Sequence, residues 1–384
     1  MMMSKLQKPN TFLILTTILL CLVGLTILAV AAATAEQNEA LQTVTITGEA
    51  KSNNETTASV AAIKSKEIKR IKPAHPAEIL NRQAGVHVNN LGGEGHMTAI
   101  RQPISTDAAY LFLEDGLPTR PSGLFNHNAL YEVNIPQAQR IEIIKGPGSA
   151  LYGSESIGGI INTITEPSPE HFEMEVNPEF GSFGWKRLLI STGDKVSKTL
   201  GARLNFNMTD SEGYRDEADY SRGAVTLRLD GKIGERTRSK SILAFSKIEQ
   251  SGVDSLDFDR YQAQSTYNRF ANDVGRRNVD AFRLSNEFTT RFNAKNKLTV
   301  TPYFRDNQME LMPSWMLTYD PNDRDYQFQS YGVNTRFGQQ VSNTFEWILG
   351  LDVDYSPSTY AEFRIEPLLV DDIYVSTART GRTN

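Results

Sequence analysis

Cysteine is almost missing from this chain. Cys21 is the only one among 384 residues, and it lies inside an apolar run rather than near other metal-ligating side chains. That excludes a disulfide framework and leaves no basis for a thiolate metal site. A charge excess of one sign is lacking too. The formal net charge is −5 with 22% charged residues, so there is no basic surplus to attract nucleic acid, and none is expected as a partner. Long apolar runs are absent beyond the N-terminus, and a hydrophobic content of 39% excludes a polytopic helical membrane protein. Catalytic motifs are lacking as well: no H-E-x-x-H and no G-x-S-x-G occurs. Gly148 to Ser154 spells G-x-x-x-x-G-S but has no lysine to reach a phosphate. The chain is not expected to be an enzyme or to carry a cofactor.

What is present begins with Lys5 and Lys8, followed by an apolar run from Phe12 to Val30 and the small residues Ala31-Ala32-Ala33-Thr34-Ala35. This is the pattern of a secretory signal peptide, expected to span residues 1–35. A membrane anchor of the same length is the alternative. Cleavage after Ala35 leaves a mature chain without cysteine, suited to an oxidising compartment.

Residues 36–62 read as a flexible linker that holds one β-prone island, Thr43-Val44-Thr45-Ile46-Thr47-Gly48. Two readings are open for it: the first strand of the following domain, or a segment that adds itself to another protein's sheet. Residues 63–167 mix short strands with a helix begun by Pro76, separated by the turn-forming Glu114-Asp115-Gly116, Gly146-Pro147-Gly148 and Gly92-Gly93. This predicts a small α/β domain.

Past Pro167-Ser168-Pro169 the pattern becomes period-two and no further helix is expected. Leu204, Phe206 and Met208 alternate with Arg203, Asn205 and Asn207; Val225, Leu227 and Leu229 repeat the scheme, and Trp347, Leu349, Leu351 and Val353 continue it. A soluble β-sandwich alternates in the same way. Charged polar faces and connections that are alternately short (293–296) and long (250–278) favour the antiparallel strands of a transmembrane β-barrel over residues 168–384. At about 20–25 residues per strand with its loop, eight to ten strands fit, about half or less of a 22-stranded barrel. The chain is therefore expected to be a fragment or a truncated product.

The segment from Ile141 to Asn162, reading I-E-I-I-K-G-P-G-S-A-L-Y-G-S-E-S-I-G-G-I-I-N, resembles the plug-domain signature of TonB-dependent outer-membrane receptors. Leu113-Glu114-Asp115-Gly116-Leu117-Pro118 is similar to that family's Asp-Gly-x-Pro hairpin. Ala99-Ile100-Arg101 falls where its Ile-Arg motif stands, and the segment from Thr43 to Thr47 is similar to its TonB box. The resemblance implies a small α/β plug followed by an antiparallel transmembrane β-barrel in the outer membrane of a Gram-negative bacterium, with outer-membrane lipid around it. It implies active uptake of a small metal chelate, a ferric siderophore first, with cobalamin, haem or another ligand as alternatives and a passive structural barrel as a further one. The implied partner is TonB with its inner-membrane energising complex, recruited by Thr43, Val44, Thr45, Ile46 and Thr47. Arg101 and Lys145 occupy the two basic positions that in the family pair with barrel carboxylates and lock the plug; Lys145 replaces the usual arginine, and Gln102 replaces a glycine. Ligand contacts are expected from the plug's outward-facing loops and the long barrel loops, with Asn89, Asn90, His96, Arg120, Phe125 and His127 as candidates. No pair among His87, His96 and His127 has metal-ligand spacing.

Overall fold

The structure is a computed structural model that describes residues 43–45, 50–52, 59–107, 109–123, 126–270, 274–312, 321–342 and 345–383. The expected signal peptide lies outside the described residues, as do Ile46 and Thr47.

Strands β1 (Thr43–Thr45) and β2 (Ala50–Ser52) pair antiparallel in a two-stranded sheet of their own. The box segment thus joins neither large sheet. The α/β domain starts with β3 (Val60–Lys64), α1 (Ser65–Ile71) and α2 (Pro76–Leu80). A small ladder follows, β4 (Val86–Val88) against β5 (Thr98–Ile100). Then come the hairpin β6 (Tyr110–Glu114) and β7 (Leu117–Pro118), β8 (Ala138–Lys145), the short helix α3 (Ser149–Tyr152) and β9 (Gly159–Thr165). The five-stranded sheet runs β3-β8-β9-β6-β7, with β6 and β9 parallel. Its core is mainly aliphatic: Ile63, Ile68, Ile79, Leu80, Leu130, Ile141, Ile143 and Ile161 are all buried, with Phe112 among them. Two glycines are required. Asp115 (φ 50) and Gly116 (φ 85) both lie in the left-handed region, as a two-residue type I′ turn demands between Glu114 and Leu117. At Gly159 a Cβ would sit 2.7 Å from the Ile144 carbonyl oxygen, so only glycine lets β9 lie this close to β8.

The remainder forms one antiparallel sheet: β10 (Glu173–Phe180), β11 (Lys186–Asp194), β12 (Leu200–Ser211), β13 (Tyr220–Ile233), β14 (Thr237–Ser251), β15 (Arg276–Arg291), β16 (Asn296–Met312) and β17 (Asn322–Gln340), each paired with the next. Strands β18 (Glu346–Tyr355) and β19 (Ser358–Val370) both pair with β17. Tyr331 faces Tyr355 and Phe328 faces Ser358, which is one unbroken register, so β18 and β19 are a single long strand interrupted at Ser356-Pro357. Proline has no N–H for the ladder, which accounts for the break. Strand β20 (Ile373–Thr383) completes the path, giving ten spanning-type strands among the described residues in a sheet that is not closed. One helix does occur here, α4 (Phe258–Ala263), in the long β14–β15 connection, contrary to the expectation of none. Asp257 caps it, its side chain accepting from the Arg260 N–H.

Side chains sort by face as the alternation predicts. On β12, Leu204 and Met208 are 42% and 54% exposed, while Arg203, Asn205 and Asn207 on the alternate positions are buried. The apolar face is turned outward and the polar face inward against the α/β domain, the reverse of a soluble sandwich. No helix among the described residues is long and apolar enough to cross a membrane. A strand needs about 10 residues to cross one. Strands β15, β16 and β17 have 16, 17 and 19, so they project beyond it.

Candidate functional site

The α/β domain is held to the sheet by guanidinium groups that reach inward from the strands. Arg283 on β15 donates to Glu114 (2.8 Å) and to the Glu132 carboxylate (3.4 Å) and carbonyl (2.6 Å). Asn307 on β16 donates to the same Glu132 oxygen, Oε2, at 2.6 Å, and Arg305 reaches the Pro118 carbonyl at 2.8 Å. Arg222 on β13 pairs with Glu94 and donates to the Val133 carbonyl; Arg187 on β11 donates to the Pro73 carbonyl. Burial pushes the carboxyls of Glu94 and Glu114 upward, against the pull of Arg222 and Arg283 respectively. Carboxylates placed this deep need fixed cationic partners, and the inward arginines supply them.

Two expected positions depart from this scheme. Arg101 donates to Ser59 Oγ (2.9 Å) and to the Lys145 carbonyl (3.4 Å), and Lys145 donates from Nζ to the Ala84 carbonyl (2.8 Å). Neither pairs with a carboxylate of the strands described here. The buried pairs on these strands have the opposite polarity, with arginines on the sheet and carboxylates on the plug, while the exposed plug lysines Lys69 and Lys72 pair with Glu175 and Glu179 of β10. Desolvation, with Arg101 adding to it, lowers the Lys145 ammonium.

The loop 89–97, between β4 and β5, is anchored at both ends and along its length. Asn89 Oδ1 accepts from the Met97 N–H (2.6 Å) and Asn90 Oδ1 from the Gly92 N–H (2.9 Å). Gln250 of β14 accepts from the Glu94 N–H (3.0 Å) and donates to the Gly92 carbonyl (3.2 Å). Underneath, His75 Nε2 donates to the Gly95 carbonyl at 3.0 Å. Above this loop lies a cavity of about 710 Å³, walled on the plug side by Asn90, Gly92, Gly93 and Met97, and on the sheet side by Tyr214, Arg215, Gln250, Asp254, Arg276 and Arg277. It sits at the end of the sheet that bears the longer connections, including residues 252–275. A volume of this order suits a small ligand.

Of the candidate ligand contacts whose side chains are described, Asn90 lines this cavity. Asn89 serves the loop's own hydrogen bonding. His96 is fully buried, with Nδ1 at 2.8 Å from the Glu94 carbonyl and its ring 4.7 Å from that of Tyr131, so it is a core histidine and not a ligand contact. Arg120 is also buried, clamped by Glu132 and by Asn128 (2.9 Å). Its guanidinium is engaged inside the plug, which corrects the expectation of a ligand contact there. Phe125 lies outside the described residues. His127 falls in the 3₁₀ segment Asn126–Glu132. Sequence reasoning pointed to the long barrel loops but named no residue of the sheet-side wall. The tandem Arg276-Arg277 opening β15 was its one available signal. Glu310, Asp323 and Asp325 bring carboxylates within 4.8 Å of one another, and Arg276 donates to the first two (2.7 and 2.9 Å), so a guanidinium already serves as their cation.

Residues 52–160 match the family model described as TonB-dependent Receptor Plug Domain. A relative, the vitamin B12 transporter BtuB of Vibrio vulnificus (strain CMCP6), is 31% identical over 163 residues, 42% of this chain and 26% of the relative. Among solved structures, the ferric citrate transporter FecA in its unliganded form superposes with a TM-score of 0.69 at 17% identity, covering 81% of this chain and 49% of that one. The P. aeruginosa receptor FpvA, bound to a heterologous ferric pyoverdine, does so with a TM-score of 0.69 at 14% identity, covering 86% and 46%. The chain thus spans about half the length of these solved structures, and its match to the curated relative about a quarter of that protein. Residues 52–160 thus form a plug domain of the TonB-dependent receptors, and the polar-inside, apolar-outside sheet of ten strands wrapped on it has the fold of part of such a receptor's β-barrel.

Proposed function

We propose that this chain serves active uptake of a scarce metal complex across the outer membrane, with a ferric siderophore as cargo. The observation that supports this best is the 710 Å³ cavity at the long-loop end, built jointly by the plug loop 89–97 and the barrel wall. A cargo bound there touches the plug, so movement of the plug can release it. The outer membrane has no nucleotide supply, and the work is to arrive through TonB pairing its strand with residues 43–47. Arg101 and Lys145, exposed side by side on the plug, are proposed to lock it against barrel strands beyond these ten. Cobalamin is the second reading, favoured by the similarity to a vitamin B12 transporter over the plug region.

Val44→Pro is the test. It leaves the cavity untouched and disfavours an extended, pairing strand at the box. Cells expressing the full chain with this change are expected to bind radiolabelled ferric chelate as the parent does and to lose its energy-dependent uptake. Uptake at the parental rate would refute the coupling role of the segment.

A further inference from the structure

Four charged side chains line the cavity: Arg215, Asp254, Arg276 and Arg277. Two of the three guanidiniums are neutralised in place. Arg215 pairs with Asp254 and also donates to the Tyr267 carbonyl, and Arg276 pairs with Glu310 and Asp323. Arg277 differs. It has no ion pair among the described residues. Its Nη1 donates to the phenol oxygen of Tyr131, its guanidinium lies 5.5 Å from the centre of that ring, and its buried Nε has no hydrogen-bond partner. The nearby plug carboxylate Glu94 is already taken by Arg222. A guanidinium is always charged and weakly hydrated, and it presents a planar fork that suits a carboxylate or a similar oxyanion. One that faces a cavity with only a neutral phenol for company is a cation without a carboxylate partner of its own, the nearby Glu310, Asp323 and Asp325 being gathered around Arg276.

We infer that the cavity selects a net-anionic metal chelate and that Arg277 is the residue that reads its anionic oxygens. This rests on the receptor reading above and narrows it to a charge class. Tyr131 lies beneath the cavity, outside its lining; it holds the guanidinium pointing along the plug–barrel seam while the site is empty and yields it to a stronger acceptor.

Equilibrium dialysis of the full chain in detergent micelles tests this with three probes: ferric citrate, which is anionic; cyanocobalamin, which has no net charge; and ferrioxamine B, which is cationic. The expected result is tightest binding of ferric citrate, weakened by added salt. Arg277→Gln weakens it tenfold or more and Arg277→Lys recovers part of the loss. Tyr131→Phe, which keeps the ring and removes only the hydroxyl, leaves ferric citrate binding unchanged or tighter. Equal losses in Tyr131→Phe and Arg277→Gln would mean that the pair merely supports the seam, and would overturn the inference. Tightest binding of cyanocobalamin or ferrioxamine B, indifferent to Arg277→Gln, overturns the charge class and leaves the receptor reading standing. Binding of none of the three overturns both.

Discussion

The imidazole of His75 performs two tasks that only its neutral form can combine. Its Nδ1 accepts from the Ala77 N–H (3.1 Å), capping α2 where Pro76 occupies the first turn, and its Nε2–H donates to the Gly95 carbonyl beneath the cavity loop. Burial lowers its pKa from the ordinary 6.5 to about 4, and the carbonyls of Gly95 and Glu94 offset this only in part. As pH falls below about 6.5 the unfolded chain gains a proton that the folded one refuses until about pH 4, so this contribution to stability is present above 6.5 and lost across that window. At roughly 1.4 kcal/mol per pH unit, the loss by pH 5 is about 2 kcal/mol. His75→Asn retains a capping acceptor without titrating. Amide exchange of residues 77–80, corrected for intrinsic rates, is expected to quicken between pH 7 and pH 5 in the parent and to hold steady in the variant; parallel changes would show that another group governs this turn.

At the scale of elements, the decisive contact is the 3₁₀ segment Asn126–Glu132 against β15 and β16. Glu132 is 2% exposed and is met by Arg120 from the plug and by Arg283 and Asn307 from the barrel. Removing one partner of a buried charge pair costs about 3–5 kcal/mol, because the remaining charge is left unmatched. Arg283→Met is therefore expected to unseat this segment, seen as protease cleavage within residues 114–135 of otherwise folded protein, whereas the double variant Arg283→Met with Glu114→Gln recovers part of the protection. Equal cleavage in single and double variants would sink the charge argument. The same network shows what the sequence could not disclose. Arg120 stands in a run of Pro, Ser and Gly that reads as an exposed loop, and its carboxylate partner comes twelve residues later from a segment with no helical periodicity. The Asp115-Gly116 turn, the helix begun by Pro76 and the barrel alternation were all legible, since turn chemistry and side-chain period are local properties. The cavity was not: its walls come from residues 90–106, 213–218, 250–255 and 276–277, and no local pattern brings them together.

The whole molecule rests on one inversion, in which charge faces the protein and hydrocarbon faces out. Arg187, Arg203, Arg222, Arg283 and Arg305 are buried on the inner face, while Leu349, Leu351 and Val353 stand on the outer face of β18, Leu351 being 67% exposed. In water such a surface would aggregate; in a bilayer it is what holds the sheet in place. A cation placed on that face costs about 2–4 kcal/mol near the bilayer midplane and little near its edges. Leu351→Arg is accordingly expected to reduce the amount of chain recovered in the outer-membrane fraction several-fold, while the volume-conserving Leu351→Met leaves it unchanged. The inner face supplies the converse, because Arg203→Leu removes an ion pair to Glu173 and a hydrogen bond to the Pro167 carbonyl without touching lipid. It should weaken the seat of the plug and spare membrane recovery. If Leu351→Arg were recovered from the membrane as well as Leu351→Met, the outer face of β18 would have to meet water or protein instead of lipid.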